Sequence, residues 1–154
     1  MFVVTSFVLV TEIAAPVDRV FDLCLDVESH LRSMARSRER AIAGRTNGTL
    51  ELGDQVTWRA THFGIPWTMT VQIAELDRPR RFVDEQVTGP FASFRHRHEF
   101  EQRGDGTQMT DTIEFTAPFG LVGRFAERLV LEGRLVTLIE TRNRYLQQAA
   151  PGRR

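Results

Sequence analysis

The feature that most constrains the fold is a change of periodicity along the chain. From residue 39 to residue 117, apolar residues recur mostly at every second position, in segments separated by short turn motifs such as Asn47-Gly48 and Gly89-Pro90. This alternation is typical of strands with one buried face, and short connections favour antiparallel neighbours. Residues 121–148 instead show helical spacing. The sequence therefore predicts an antiparallel sheet followed by one long helix.

The remaining predicted elements complete this layout. Residues 3–13 are rich in valine, phenylalanine and leucine, which predicts a first strand. Pro16 suits the first turn of a helix that extends to about Val27, and residues 29–37 form a second short helical or irregular piece. The six further predicted strands are 39–46, 50–62, 67–76, 81–88, 92–103 and 107–117.

This layout predicts an internal cavity. A helix over residues 121–148 would be ~42 Å long at 1.5 Å per residue, and strands of ten residues or more reach ~35 Å. A sheet of seven strands is wider than one helix can cover, so it has to curl around the helix and leave part of the space between them unfilled. Apolar cavities with a few polar groups bind small molecules.

Composition narrows the class of protein. A length of 154 residues suits a single domain, predicted at residues 1–148 with a polar C-terminal tail at 149–154. Basic and acidic residues balance at 20 each, so nothing directs the chain to nucleic acid. The single cysteine, Cys24, excludes an internal disulfide, and its place on the apolar stripe of the first predicted helix favours a small core residue over a reactive thiol.

Targeting features are also missing from the sequence. No apolar run approaches the ~18 residues needed to cross a bilayer. The apolar start lacks the basic region and cleavage site of a signal peptide. We therefore expect a cytoplasmic protein without a membrane span, and the pattern leaves a homodimer open.

Two histidines one residue apart are the most informative candidate functional residues. His96 and His98 lie in the most aromatic stretch of the chain and share one strand face with Phe94 and Phe100. The opposite face carries only charged side chains, so the imidazoles are predicted to point inward between aromatic rings. Inward titratable groups of this kind indicate ligand contact or chemistry.

Asp111 on the following predicted strand is the expected partner of these histidines. A two-residue turn at Gly104-Asp105 places Asp111 directly opposite His98, whereas a turn at Asp105-Gly106 makes the two diagonal neighbours. A carboxylate beside an imidazole fixes its tautomer and raises its basicity, so His98 and Asp111 are candidate catalytic residues for acid–base chemistry. A structural or ligand-orienting pair is the favoured alternative.

Metal binding is the third interpretation of the histidine pair. It needs a third ligand, which Asp111, Asp84 or His62 could supply as part of a two-histidine, one-carboxylate set. The His-x-His spacing is common by chance and there is no clustered cysteine, so no metal and no other cofactor is predicted.

Other inward rows supply further candidates for ligand contact. Trp58 alternates with polar residues on its predicted strand, and so do Trp67 and Met69 on the next strand. The period does not settle whether Phe82 and Asp84 face inward. The candidate ligand-binding residues are His96, His98, Phe94, Phe100, Trp58, His62, Trp67, Met69, Phe82, Asp84, Met109, Phe125 and Leu129.

Local motifs over nearly the whole chain resemble a known superfamily. They include Val56-Thr57-Trp58-Arg59-Ala60, Phe82-Val83-Asp84-Glu85-Gln86, His96-Arg97-His98-Glu99-Phe100, Gly106-Thr107-Gln108-Met109-Thr110-Asp111 and Arg142-Asn143. The chain resembles the START-related and Bet v 1-like superfamily, often called SRPBCC, and within it a bacterial cyclase/dehydrase-like branch. The resemblance implies an α+β helix-grip fold: a seven-stranded curled antiparallel sheet wrapped round a long C-terminal helix, with two short helices after the first strand. It also implies a cavity for an apolar small molecule.

Three functions follow as hypotheses. The favoured one is a binding or carrier domain for a small hydrophobic molecule, lipid-like or aromatic, held between the sheet and the C-terminal helix. The second is a cofactor-independent polyketide cyclase/dehydratase-type enzyme that uses the histidine and aspartate of the cavity as acid and base. The third is a protein-interaction or stress-related module whose groove binds a polypeptide.

Overall fold

The computed structural model describes residues 3–62, 64–117 and 125–151, without the side chains of residues 125–127. Strand β1 (Val4–Ile13) is followed by helices α1 (Val17–Leu25) and α2 (Val27–Ser33) and by a 3-10 helix (Ala35–Ser37). Six further strands and the long helix complete the fold: β2 (Arg40–Gly44), β3 (Gln55–His62), β4 (Ile65–Asp77), β5 (Arg81–Thr88), β6 (Ser93–Arg103), β7 (Gly106–Thr116) and α3 (Phe125–Ala149).

This order of elements confirms the predicted helix-grip architecture. The seven strands form one antiparallel sheet in the order β1-β7-β6-β5-β4-β3-β2, so each strand from β2 to β7 pairs with its neighbour in sequence and β1 joins at the far edge beside β7. The predicted residues 121–124 of the long helix lie outside the described part of the chain. None of the described helices is long and apolar enough to cross a membrane.

Two boundaries that differ from the prediction have local reasons. The first helix ends at Leu25 rather than about Val27, because Asp26 has extended backbone angles (φ −82°, ψ 121°). The Asp26 carboxylate caps α2 by accepting a hydrogen bond from the backbone N–H of Ser29 at 2.8 Å. Strand β3 starts at Gln55 rather than residue 50, because the backbone N–H of Asp54 donates to the carbonyl of Glu51 in a turn.

The C-terminal end of the domain also differs from the prediction. A polar tail was predicted to begin at residue 149, but Ala150 is fully buried. The Arg19 side chain on α1 donates to the Ala150 carbonyl oxygen. Packing of this kind fixes the chain beyond the end of α3, because a buried carbonyl has to find a donor.

The turn between β6 and β7 decides the register of the strands that carry the candidate histidines. Arg103 pairs with Gly106, so Gly104 and Asp105 form the two-residue turn, with Gly104 at a positive φ of 58°. Glycine adopts this left-handed conformation at little cost. In this register His98 lies directly opposite Asp111, which is the first of the two predicted alternatives.

The main hydrophobic core fills one end of the space under the sheet. Phe21 on α1 is fully buried and lies against the rings of Phe82 and Phe100, with ring centroids 5.6 and 5.2 Å away. Cys24 on the same helix lies 3.8 Å from the Met109 sulfur atom. Burial raises the pKa of the Cys24 thiol to about 12, which agrees with the predicted core role and makes a reactive thiolate unfavourable.

Candidate functional site

A cavity of about 180 Å³ lies between the sheet and α3, at the end that α1 does not fill. Its wall is mostly apolar and aromatic: Met34, Trp58, Ala60, Trp67, Met69, Val71, Pro90, Phe91, Phe94, Leu131, Leu135, Leu138 and Ile139. Its polar lining residues are His30, Glu39, His62, Asp84, His96 and Arg134. An apolar wall with a few polar groups is the usual chemistry of a small-molecule site.

A smaller cavity of about 90 Å³ adjoins the larger one. The two share Trp58, Asp84 and His96 in their linings, and the smaller one also touches His98 and Arg142. The buried polar residues are therefore concentrated where the two cavities meet.

The two histidines form separate hydrogen bonds with two carboxylates. His96 Nε2 donates to Asp111 Oδ1 at 2.7 Å, and His98 Nε2 donates to Asp84 Oδ2 at 2.7 Å. The two imidazole rings stack with centroids 3.6 Å apart, and His98 also stacks on Phe82 at 4.0 Å. His98 is thus held between two rings, whereas His96 has one ring neighbour and lines both cavities.

Asp111 is the centre of this network. Its side chain is fully buried, and its Oδ1 accepts a hydrogen bond from Arg142 Nη2 on α3. Its Oδ2 accepts from Asn143 Nδ2 at 2.9 Å, and Asn143 Nδ2 also lies 3.0 Å from the Thr11 hydroxyl on β1. A buried charge is tolerated only when its hydrogen-bonding capacity is used in this way.

The neighbours of each group set its charge. Burial alone would raise the pKa of Asp111, but the Arg142 charge and the hydrogen bond from His96 hold it well below its ordinary value. Burial and the adjacent His96 lower the pKa of His98 to about 4, against the opposing effect of Asp84. Burial alone would also raise the pKa of Asp84, but the bond from His98 together with the nearby charges of His96, His98 and Arg142 lowers it. At neutral pH both carboxylates are therefore ionised and His98 is neutral.

The neutral His98 has both ring nitrogens engaged. Arg142 Nη1 lies 3.4 Å from His98 Nδ1, and a guanidinium nitrogen can only donate. The proton of His98 therefore resides on Nε2, where it is donated to Asp84. Asp111 Oδ1 also lies 3.4 Å from His98 Nδ1, but its shorter contact is with His96.

Asp84, His96 and His98 are also the described residues whose geometry comes nearest to a metal site. One ligand atom from each lies within 4.8 Å of the others, which is the two-histidine, one-carboxylate set considered from the sequence. However, each imidazole Nε2 already bonds a carboxylate at 2.7 Å, and the Arg142 guanidinium faces His98. We therefore interpret the cluster as a hydrogen-bond network rather than as a metal site. His62 lies apart from it and contacts Arg134 Nη2 at 3.3 Å.

The structure gathers most of the predicted ligand-binding residues at these cavities. Those lining the larger cavity are Trp58, His62, Trp67, Met69, Asp84, Phe94 and His96, and those lining the smaller one include Phe82 and His98. The sequence left undecided which face of β5 lies inward. In the structure the face with Phe82 and Asp84 is turned towards the cavities.

Three of the predicted residues whose side chains are described do not line either cavity. Phe100 and Met109 share the inward face but pack in the main core, because α1 covers that end of the sheet. Leu129 is 50% exposed, on a part of α3 turned away from the sheet. The side chain of Phe125 lies outside those described.

Arg142 and Asn143 are functional-site residues to which sequence reasoning gave no role. They were noted only as part of a resemblance. The sequence did contain a signal that Arg142 is buried. Arg142 lies three residues after Ile139 and four before Leu146, which places it on the inward stripe of α3. An arginine at such a position requires a buried carboxylate partner.

Comparison with known proteins agrees with this fold. The Zhui aromatase/cyclase from a Streptomyces species superposes with a TM-score of 0.76 at 18% identity, covering 96% of this chain and 93% of the other. The Thermus thermophilus protein TTHA0849 gives 0.72 at 19% identity, with 95% and 99% covered. The major latex-like protein 151 of Panax ginseng gives 0.68 at 13% identity, with 97% and 99% covered. A search of curated protein sequences finds no match.

These likenesses and the family model that matches the chain show the helix-grip fold of the START-related and Bet v 1-like superfamily. More narrowly, the family model described as polyketide cyclase / dehydrase and lipid transport matches residues 4–150, so the chain belongs to that family.

The network predicts a large loss of stability when Arg142 loses its charge. In Arg142→Met, Asp111 stays buried without its main counter-charge, so the free energy of unfolding should fall by about 3–5 kcal/mol. Urea denaturation at pH 7 measures this. Arg144→Met is the matched control: Arg144 is exposed on the same helix, and its loss should change stability by less than about 0.5 kcal/mol. Equal effects of the two substitutions would contradict the role given to Arg142.

The lowered pKa of His98 predicts a specific pH dependence. An unfolded histidine takes up a proton near pH 6.5, whereas His98 in the folded chain does so at about 4. The unfolded state therefore binds more protons between these values, and stability should fall by up to about 3 kcal/mol as pH drops from 6.5 to 4. His98→Gln, which keeps a donor for Asp84, should show a shallower fall in urea titrations over this range. An unchanged slope would show that His98 is protonated in the native state.

Proposed function

We propose that the protein binds a small, largely apolar molecule in the cavity between the sheet and α3. The observation that carries this proposal is the cavity itself, about 180 Å³ in volume, with aromatic and aliphatic side chains around a few polar groups. Apolar cavities of ~150 Å³ hold a molecule the size of benzene. The adjoining cavity of about 90 Å³ extends the space available.

The wall chemistry supports an aromatic or lipid-like ligand. Trp58, Trp67, Phe91 and Phe94 present ring surfaces to the cavity, while Leu135 and its helical neighbours present aliphatic surface from α3. The family description, which joins polyketide cyclases and dehydrases with lipid transport, agrees with this class of ligand. A cytoplasmic location is part of this proposal and rests on the composition of the chain.

Filling the cavity should abolish binding without disturbing the outer surface. Ala60 lines the cavity on β3, and the next residue, Thr61, is exposed on the opposite face. We expect Ala60→Phe to weaken binding of naphthylmethanol at least tenfold, measured by isothermal titration calorimetry, and Thr61→Phe to change it less than twofold. Mass spectrometry of organic extracts should find a co-purifying apolar compound that Ala60→Phe loses.

Equal binding by both variants would place the ligand elsewhere and contradict the proposal. Because added volume strains a packed wall by ~1–3 kcal/mol, thermal melting should show that Ala60→Phe remains folded.

A cyclase/dehydratase-type activity is the second candidate, favoured by an imidazole with a carboxylate behind it at the cavity wall. His96, rather than the predicted His98, is the histidine that lines the larger cavity, and its Nε2 bonds Asp111 at 2.7 Å. In a dehydration, His96 Nδ1 would take a proton from the carbon next to a ketone and then give this proton to the hydroxyl on the adjacent carbon. The C–O bond breaks as the C=C bond forms, and the hydroxyl leaves as water.

This candidate activity has a direct test. With a β-hydroxyketone on an aromatic ring as substrate, wild-type protein should accelerate loss of water, followed by absorbance of the conjugated product. His96→Gln should lower the rate by a factor of ~100 or more, the usual contribution of a general base. A rate equal to that of buffer for the wild-type protein leaves binding alone as the function.

A further inference from the structure

The polar end of the cavity offers hydrogen-bond acceptors. His96 Nε2 faces Asp111, and an ionised carboxylate can only accept, so the proton of a neutral His96 is on Nε2. Its Nδ1 is then an acceptor, and it has no hydrogen-bond partner among the described residues. Asp84 is similar: its Oδ2 accepts from His98, and its Oδ1 has no partner among the described residues.

The donors of this cluster are already in use. His98 Nε2 donates its proton to Asp84. Arg142 donates from Nε to Asn143 at 2.7 Å, from Nη1 towards His98 at 3.4 Å and from Nη2 to Asp111. Two acceptors therefore face the cavity from a cluster whose donors point to one another.

The charge of the cluster favours the same kind of ligand. It contains two ionised carboxylates, Asp84 and Asp111, and one guanidinium, Arg142, while His98 is neutral. With a neutral His96, one negative charge is thus left over in a buried position, where the low dielectric strengthens its attraction for a cation and its repulsion of an anion. Asp84 is the less buried of the two carboxylates, with 18% of its side chain exposed, so it presents this charge to the cavity.

We propose that the polar group of the ligand sits against Asp84 and His96 and donates hydrogen bonds to them. The ligand is then an apolar molecule with a hydroxyl or a protonated amine, and carboxylates such as free fatty acids bind more weakly. This inference rests on the proposed function, since it names the chemistry of the molecule in the same cavity. Arg134 also lines the larger cavity, beside His62, but it does not line the smaller one where the acceptors meet.

Four matched naphthalene derivatives test the proposal at pH 8: naphthylmethanol, naphthylmethylamine, naphthoate and methylnaphthalene, all substituted at the same ring position. We expect calorimetry with the wild-type protein to give a Kd for the alcohol and the amine at least tenfold lower than for naphthoate. A naphthoate Kd equal to or lower than theirs overturns the inference but leaves cavity binding intact. Binding of none of the four, methylnaphthalene included, overturns the proposed function as well.

A variant that removes the charge of Asp84 tests whether this residue sets the preference among the four ligands. Asp84→Asn keeps the size of the side chain, and we expect it to weaken the amine at least tenfold and to tighten naphthoate. The Kd of the alcohol should change less than the Kd of the amine, and this difference distinguishes a hydroxyl ligand from an ammonium ligand. Glu99→Gln is the control: Glu99 pairs with Arg97 on the outer face of β6, and its loss should change each Kd less than twofold. The same shift in both variants would contradict a local role for Asp84, and the wild-type series remains decisive if Asp84→Asn is unstable.

Discussion

The buried carboxylate of Asp111 is the constraint on which the rest of the site depends. It lies on β7, accepts hydrogen bonds from Arg142 and Asn143 on α3, and accepts one from His96 on β6. A charge removed from water costs several kcal/mol unless such partners surround it, so the position of α3 over the sheet is tied to this carboxylate. The helix could not slide by one turn without leaving Asp111 or Arg142 buried and unpaired.

The fixed position of α3 over Asp111 explains why the domain has both a packed core and a cavity. On one side of the network, α1 packs Phe21 edge-on against the rings of Phe82 and Phe100, which fills the space. On the other side α3 covers the curled sheet, with α2 at the rim, and the α3 side chains Leu131 and Leu135 meet the sheet around an unfilled volume. The network forms the boundary between the two regions, so its polar atoms lie at the end of an apolar chamber.

The histidine pair shows where local reasoning succeeds and where it ends. Strand alternation placed both imidazoles inward, and the turn at Gly104 fixed the register that sets His98 opposite Asp111. The shortest hydrogen bond of Asp111 to an imidazole nevertheless comes from the diagonal neighbour His96, because Asp84 and the stacking ring of Phe82 hold His98. Register follows from backbone pairing, whereas the choice of partner depends on three strands and a helix at once.

The sequence by itself determined the order and type of the elements, the inward face of β6, the cavity expected from one helix against seven strands, and the family. These properties depend on periodicity, turn chemistry and local motifs, which are written along the chain. Only the tertiary structure decided that Arg142 and Asn143 bond Asp111, that Phe100 and Met109 pack in the core, and which ring nitrogen of each histidine bonds a carboxylate. Those facts depend on contacts between residues such as Asp111 and Arg142, which are 31 positions apart and meet only when α3 closes over the sheet.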